Sequence, residues 1–175
     1  MPFILITAGF PGSGKSTLSK EIADKLGFIH LIGDKIRKNI SNGAPTHSHQ
    51  ETIEVLSVLD QAAIESLDKG KSVICDMNYI KQEGRARYYD MAKNHNATAV
   101  TLWFDCPLEV ALERNKKRSP QTDAYYNDTP AEAVQRMYHF REPLADWEHP
   151  IIIDCHLPLE EQVVKVGEYL QDVSS

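Results

Sequence analysis

Short apolar runs alternate along the chain with longer segments whose apolar residues recur every three or four positions. Phe3–Ala8 reads as a strand that ends at a glycine loop. Lys15–Leu26 reads as a helix, because Leu18, Ile22 and Leu26 fall on one face, and Gly27 ends it. Residues 28–32 form a second short apolar run, which stops at Gly33-Asp34. Ile53, Leu56, Leu59, Ala63 and Leu67 place a long amphipathic helix over 50–69, closed by Gly70. Further strands are predicted at 72–76, 97–104 and 151–154, and further helices at 81–94, 107–118, 130–141 and 159–170. A helix is also expected to start near Lys35, and residues 172–175 are expected to fray. Strand and helix in regular alternation predict an α/β fold with a parallel sheet and helices on both faces.

Composition narrows the picture. The chain has 175 residues, 42% apolar and 25% charged, which suits one globular domain over 1–175. Its 25 acidic residues outnumber 19 lysines and arginines, so a protein that coats nucleic acid backbone is not expected. No apolar run reaches transmembrane length, and no basic leader precedes Phe3-Ile4-Leu5-Ile6, so a cytoplasmic protein is expected. Cys75, Cys106 and Cys155 lack metal-ligand spacing and read as buried, reduced thiols. His47 and His49 read as loop histidines.

The informative segment is Gly9-Phe10-Pro11-Gly12-Ser13-Gly14-Lys15-Ser16-Thr17. It matches G-x-x-x-x-G-K-[ST] between a predicted strand and a predicted helix. Glycines let backbone N–H groups turn inward around an anion, and the helix N-terminus adds positive potential. Lys15 can reach the β- and γ-phosphates, the Ser16 hydroxyl can ligate Mg²⁺, and Thr17 can contact the α-phosphate. A nucleoside triphosphate, first of all ATP, is the expected ligand. No guanine-reading N-K-x-D follows a strand, and no strand ends in Asp-Glu. Transfer to a substrate is therefore favoured over hydrolysis, with a nucleotide-dependent switch as the alternative from another class.

Asp34 stands directly after the second strand, where it can take the proton of an attacking hydroxyl or cap the next helix. Arg37, one turn on, is either a solvated cation or a contact for an acceptor anion. Asp76 ends the third strand and is the candidate acid for Mg²⁺, with Asn78 beside it as turn former or acceptor contact. Arg114 and Arg118, four apart on one predicted helix, would share a face over the triphosphate, with Arg136 and Arg141 in reserve. The polar stretch from 119 to about 130 reads as a mobile lid, in which Tyr125-Tyr126 could meet a base. Trp103 reads as a core residue.

This ordered set of motifs resembles the small P-loop kinases that include the kinase domain of bacteriophage polynucleotide kinase and zeta-toxin-like proteins. The likeness runs from the first strand to about Pro143. It rests on Gly9 to Thr17, Gly33-Asp34-Lys35-Ile36-Arg37, Cys75-Asp76-Met77-Asn78, Arg114-Asn115-Lys116-Lys117-Arg118 and the segment 132–143. The resemblance implies a sheet ordered 2-3-1-4-5, Asp34 as general base, Arg118 as transition-state arginine and Arg114 as a phosphate contact. It also implies an acceptor pocket shaped by Asp76 and Asn78. The acceptor it implies first is a polynucleotide 5′-hydroxyl or nucleoside, and then a small metabolite, antibiotic or sugar nucleotide. Two positions depart from the polynucleotide pattern: Gly33 replaces an arginine, and Met77 replaces a small polar residue. Both face the acceptor in that family.

Overall fold

The computed structural model describes residues 1–118 and 129–174. In chain order the elements are β1 (Phe3–Ala8), α1 (Lys15–Leu26), β2 (Ile29–Ile32), α2 (Gly33–Ile40), α3 (His49–Asp68) and β3 (Val73–Asp76). Then follow α4 (Gln82–Asn94), β4 (Thr98–Asp105), α5 (Leu108–Lys117), α6 (Ala131–His139), β5 (Pro150–Asp154) and α7 (Leu159–Ser174). The strands form one five-stranded sheet in the order β2-β3-β1-β4-β5, and every pairing is parallel. Both the α/β class and the strand order match expectation.

β1 is buried along its whole length, which is why Phe3-Ile4-Leu5-Ile6 shows no polar alternation. Its side chains serve two cores in turn. Phe3 and Leu5 join Leu18, Ile22, Val163 and Val166 under α1 and α7, while Ile4 and Ile6 join Leu59, Ala63, Tyr88 and Met91 under α3 and α4. A third cluster of Phe10, Cys106, Ala111, Val134 and Cys155 closes the carboxyl end of the sheet beneath α5 and α6. All three cysteines are free and buried, as read.

Three expectations need correction. α7 continues to Ser174, whose hydroxyl bonds back to the Leu170 carbonyl at 2.6 Å, so residues 172–174 stay helical. α2 already starts at Gly33, so Asp34 sits in its first turn and does not cap it. α5 ends at Lys117, and Arg118 is extended, with φ −70° and ψ 146°. Arg114 and Arg118 therefore do not share a helical face, because the chain leaves the helix between them. The lid read at 119 to about 130 lies outside the described residues except for Thr129 and Pro130, as do Tyr125 and Tyr126. Asn115 donates from Nδ2 to the Thr129 carbonyl at 2.8 Å and so brings the far end of that segment to α5.

The stretch that follows α6 is tied down by a buried ion pair that the sequence reading did not find. Arg85 and Glu148 are both fully buried, with Nε–Oε2 at 2.8 Å and Nη2–Oε1 at 2.9 Å. Arg85 also donates to the carbonyls of Tyr79, Glu142 and Pro143, while Glu148 accepts from the Thr101 hydroxyl and the Ala145 amide. Such a pair is compensated only while both members are present. Arg85→Ala is expected to cost about 3–5 kcal/mol in unfolding free energy, read from the denaturant midpoint, because Glu148 would stay buried and unpaired. Loss of less than about 1 kcal/mol, the value of an exposed pair, would contradict this reading.

Candidate active site

Gly9 to Thr17 carry the chain from β1 into α1. Gly12 and Gly14 have φ of 87° and 98°, a left-handed backbone that side chains avoid. At Gly12 a Cβ would also run into the Ala111 carbonyl of α5. Neither a side-chain cap nor a first-turn acid serves the N-terminus of α1, so its first amides are left for an anion. The Ser13 hydroxyl is buried and has no hydrogen-bond partner among the described residues. Ser16 and Thr17 are exposed at the mouth, whereas Pro11 and Lys15 are buried. These features fit a phosphate chain.

Lys15 donates to the Phe10 carbonyl across the loop at 3.0 Å. Burial lowers its pKa to about 8, against the opposing pull of the Asp76 and Asp34 charges, and the Arg118 charge lowers it further. Below that pH the ammonium carries its proton and attracts phosphate; above it the loop loses one positive charge. ATP affinity of the free protein is therefore expected to weaken as pH rises through about 8, measured by calorimetry. Lys15→Arg, whose charge persists, should flatten that dependence.

Asp34 is half-buried at the start of α2. Burial raises its pKa above the ordinary aspartate value, Lys15 pulls it back down, and Asp76 pushes it up again. Asp76 is buried at the end of β3, and its Oδ2 is hydrogen-bonded to His30 Nε2 at 2.8 Å. His30 pairs with Ile74 and Ile32 with Asp76 in the β2–β3 ladder, so His30 and Asp76 lie two positions apart on one face. The sequence reading missed His30; a lone histidine inside an apolar strand was its only signal. Ser16 and Asp76 offer hard oxygen donors, one hydroxyl and one carboxylate, which is the donor chemistry Mg²⁺ takes.

Arg37 is buried and committed within the protein, with Nη1 on Glu51 Oε2 at 3.1 Å and Nη2 on the Thr52 hydroxyl at 3.3 Å. Glu51 also accepts from the Thr46 and His47 amides, which fastens the 41–48 loop to α3. Burial pushes the Glu51 carboxyl up, but those amides and Arg37 outweigh it and hold it below the usual range. Asn78 is exposed, and its carbonyl accepts from the Ile80 amide at 2.8 Å.

The arginines part company. The Arg118 charge acts on both Lys15 and Asp34. Arg114 is exposed and donates from Nη2 to the Cys155 carbonyl at 2.9 Å, at the end of β5. Arg141 stacks over Trp103 at 3.9 Å, sits 5.4 Å over the Phe10 ring and donates to the Phe104 carbonyl at 2.8 Å. Trp103 is only partly buried, a platform for Arg141 more than a core residue. Arg136 is exposed on α6.

The chain is similar to known kinases. An adenylate kinase isoenzyme 1 of Cyprinus carpio is 28% identical over 90% of this chain and 89% of its own length. A cytidylate kinase of Methanocaldococcus jannaschii is 29% identical over 66% of this chain, which spans 64% of that protein. Among solved structures, an unliganded sugar kinase from Janibacter has a TM-score of 0.72 at 21% identity, covering 98% of this chain and 95% of that one. The Pnkp1/Rnl/Hen1 RNA repair complex contains a chain with a TM-score of 0.68 at 22% identity, covering 79% of this chain and 43% of that one. The AAA domain model matches residues 4–144, which take in the glycine loop, Asp34, Asp76 and Arg118, and the protein thus belongs to the AAA_33 family of P-loop kinases.

Proposed function

We propose that the protein transfers the γ-phosphate of ATP to an alcohol whose proton is taken by Asp34. The observation that carries this reading is the proximity of three charges: Lys15 opening α1 after β1, Asp34 in the first turn of α2 after β2, and Asp76 ending β3. They lie close enough for each carboxylate charge to act on the lysine. The loop amides and Lys15 hold the phosphate chain, and Ser16 and Asp76 would hold Mg²⁺. When bound, Mg²⁺ supplies neutralising charge to the phosphate oxygens. The Asp34 carboxylate accepts the hydroxyl proton as the alcohol oxygen bonds to the γ-phosphorus. The bond from that phosphorus to the β-phosphate oxygen breaks, leaving ADP and a phosphomonoester. Arg118 stabilises the negative charge on the transferring group.

A second reading, in which a nucleoside monophosphate accepts the phosphoryl group, draws on the adenylate and cytidylate kinases among the relatives. Such an acceptor needs no base and would bring its own anion toward Asp34 and Asp76, which is unfavourable. Transfer of labelled γ-phosphate separates the readings when alcohols, a 5′-hydroxyl oligonucleotide and CMP are offered in parallel. Label in an acid-stable phosphomonoester supports the first. Label in CDP, or ATP turnover indifferent to every acceptor, overturns it.

A further inference from the structure

Gly33 directly precedes Asp34, Met77 directly follows Asp76, and the two touch each other. Gly33 is buried at the first position of α2. A Cβ placed there would run into Met77 Cγ, come within 2.8 Å of Met77 Sδ and lie 3.3 Å from the Asp76 carbonyl. The Met77 side chain therefore fills the space that a Cβ at 33 would need, and it packs on the core beneath α3 and α4.

Met77 is also held from below. The Thr7 hydroxyl of β1 donates to the Met77 carbonyl at 2.7 Å and accepts from its amide at 3.1 Å. The backbone is thus held at both its carbonyl and its amide, and the side chain is partly exposed. Nearby, the Arg37 guanidinium is hydrogen-bonded to Glu51 and Thr52, while its charge still reaches Asp34. Directly before Asp34 and directly after Asp76 in the chain, the protein thus sets a partly exposed apolar side chain on a bare glycine. A phosphate pressed against that surface would lose hydration and gain no hydrogen bond from it. A C–H face of a sugar ring or polyol would be accommodated there.

We infer that Met77, seated on Gly33, selects the acceptor: a compact, uncharged polyhydroxy compound in preference to a nucleic acid end, whose reacting hydroxyl lies close to a phosphate. The inference rests on the alcohol-transfer reading and deepens it. It makes Gly33 and Met77 a coupled pair. Gly33 has no left-handed backbone, so alanine there is opposed chiefly by Met77, with the Asp76 carbonyl at 3.3 Å as the one other tight neighbour.

The test measures labelled phosphate transfer to a panel of neutral pentoses, hexoses and polyols and to a 5′-hydroxyl oligodeoxythymidylate. It uses the wild type, Gly33→Ala, Met77→Ala and the double variant, each first checked for a cooperative melt. The wild type should use a member of the neutral panel and favour it over the oligonucleotide. Met77→Ala should raise the acceptor KM by ~10–200-fold, the range for a lost apolar pocket contact, with the KM for ATP moving far less. Gly33→Ala should raise the acceptor KM in the wild type and much less on the Met77→Ala background, because the chief obstacle is then gone. A wild type that prefers the oligonucleotide overturns the inference and leaves alcohol transfer standing. So does an acceptor KM indifferent to Met77→Ala, or strictly independent effects at the two positions. Transfer to no hydroxyl compound at all overturns both.

Discussion

Arg118→Ala is expected to lower kcat by about 10³–10⁵ while the affinity for ATP changes much less, because an arginine that meets charge developing in the transition state acts mainly there. The structure makes this residue the arginine to test. Its charge reaches Lys15 and Asp34 together, although the chain has already left α5 at that point. Arg114, by contrast, donates to the Cys155 carbonyl, so Arg114→Ala should cost less. Single-turnover kinetics with ATP titration check both. Equal losses in kcat and ATP affinity for Arg118→Ala would make it an ordinary ground-state contact.

Asp34→Asn is expected to reduce transfer to the acceptor by about 10²–10⁴ without loss of ATP binding, the range for removing a positioned general base. The pH dependence carries an independent signature. A base must be deprotonated to act, so activity falls as pH drops through the Asp34 pKa. Burial raises that pKa, against Lys15, and the acid limb of the kcat/KM profile should therefore lie above the value for an ordinary aspartate. In Asp34→Asn that limb should vanish from the residual rate. An unchanged acid limb in the variant would assign the titration to another group.

Much of this architecture is legible in one chain because it is local. The glycine loop is a run of nine residues whose backbone geometry depends on its own glycines, and β1 and α1 carry the expected bounds. Asp34 and Asp76 are legible for a related reason. In a parallel sheet each strand delivers its next residue to the same edge, so an acid that ends an apolar run is delivered there too.

What escaped the sequence involves partners far apart along it. His30 meets Asp76 across 46 residues, and Arg85 meets Glu148 across 63. Arg37 looked available one turn after Asp34, and only the loop folding back onto α3 shows its guanidinium held by Glu51. Arg118 looked helical because charged residues continue the polar face of α5 without a break, and the backbone still turns out of the helix there.

The sequence by itself determined the α/β class, the anion-binding loop and the acids at the strand ends, since each follows from spacing and backbone preference within a short window. Only the tertiary structure decided which cations act on the phosphate loop and which side chain fills the space over Gly33. Those outcomes depend on contacts between side chains of different elements, and Met77 lying on Gly33 is written in neither residue alone.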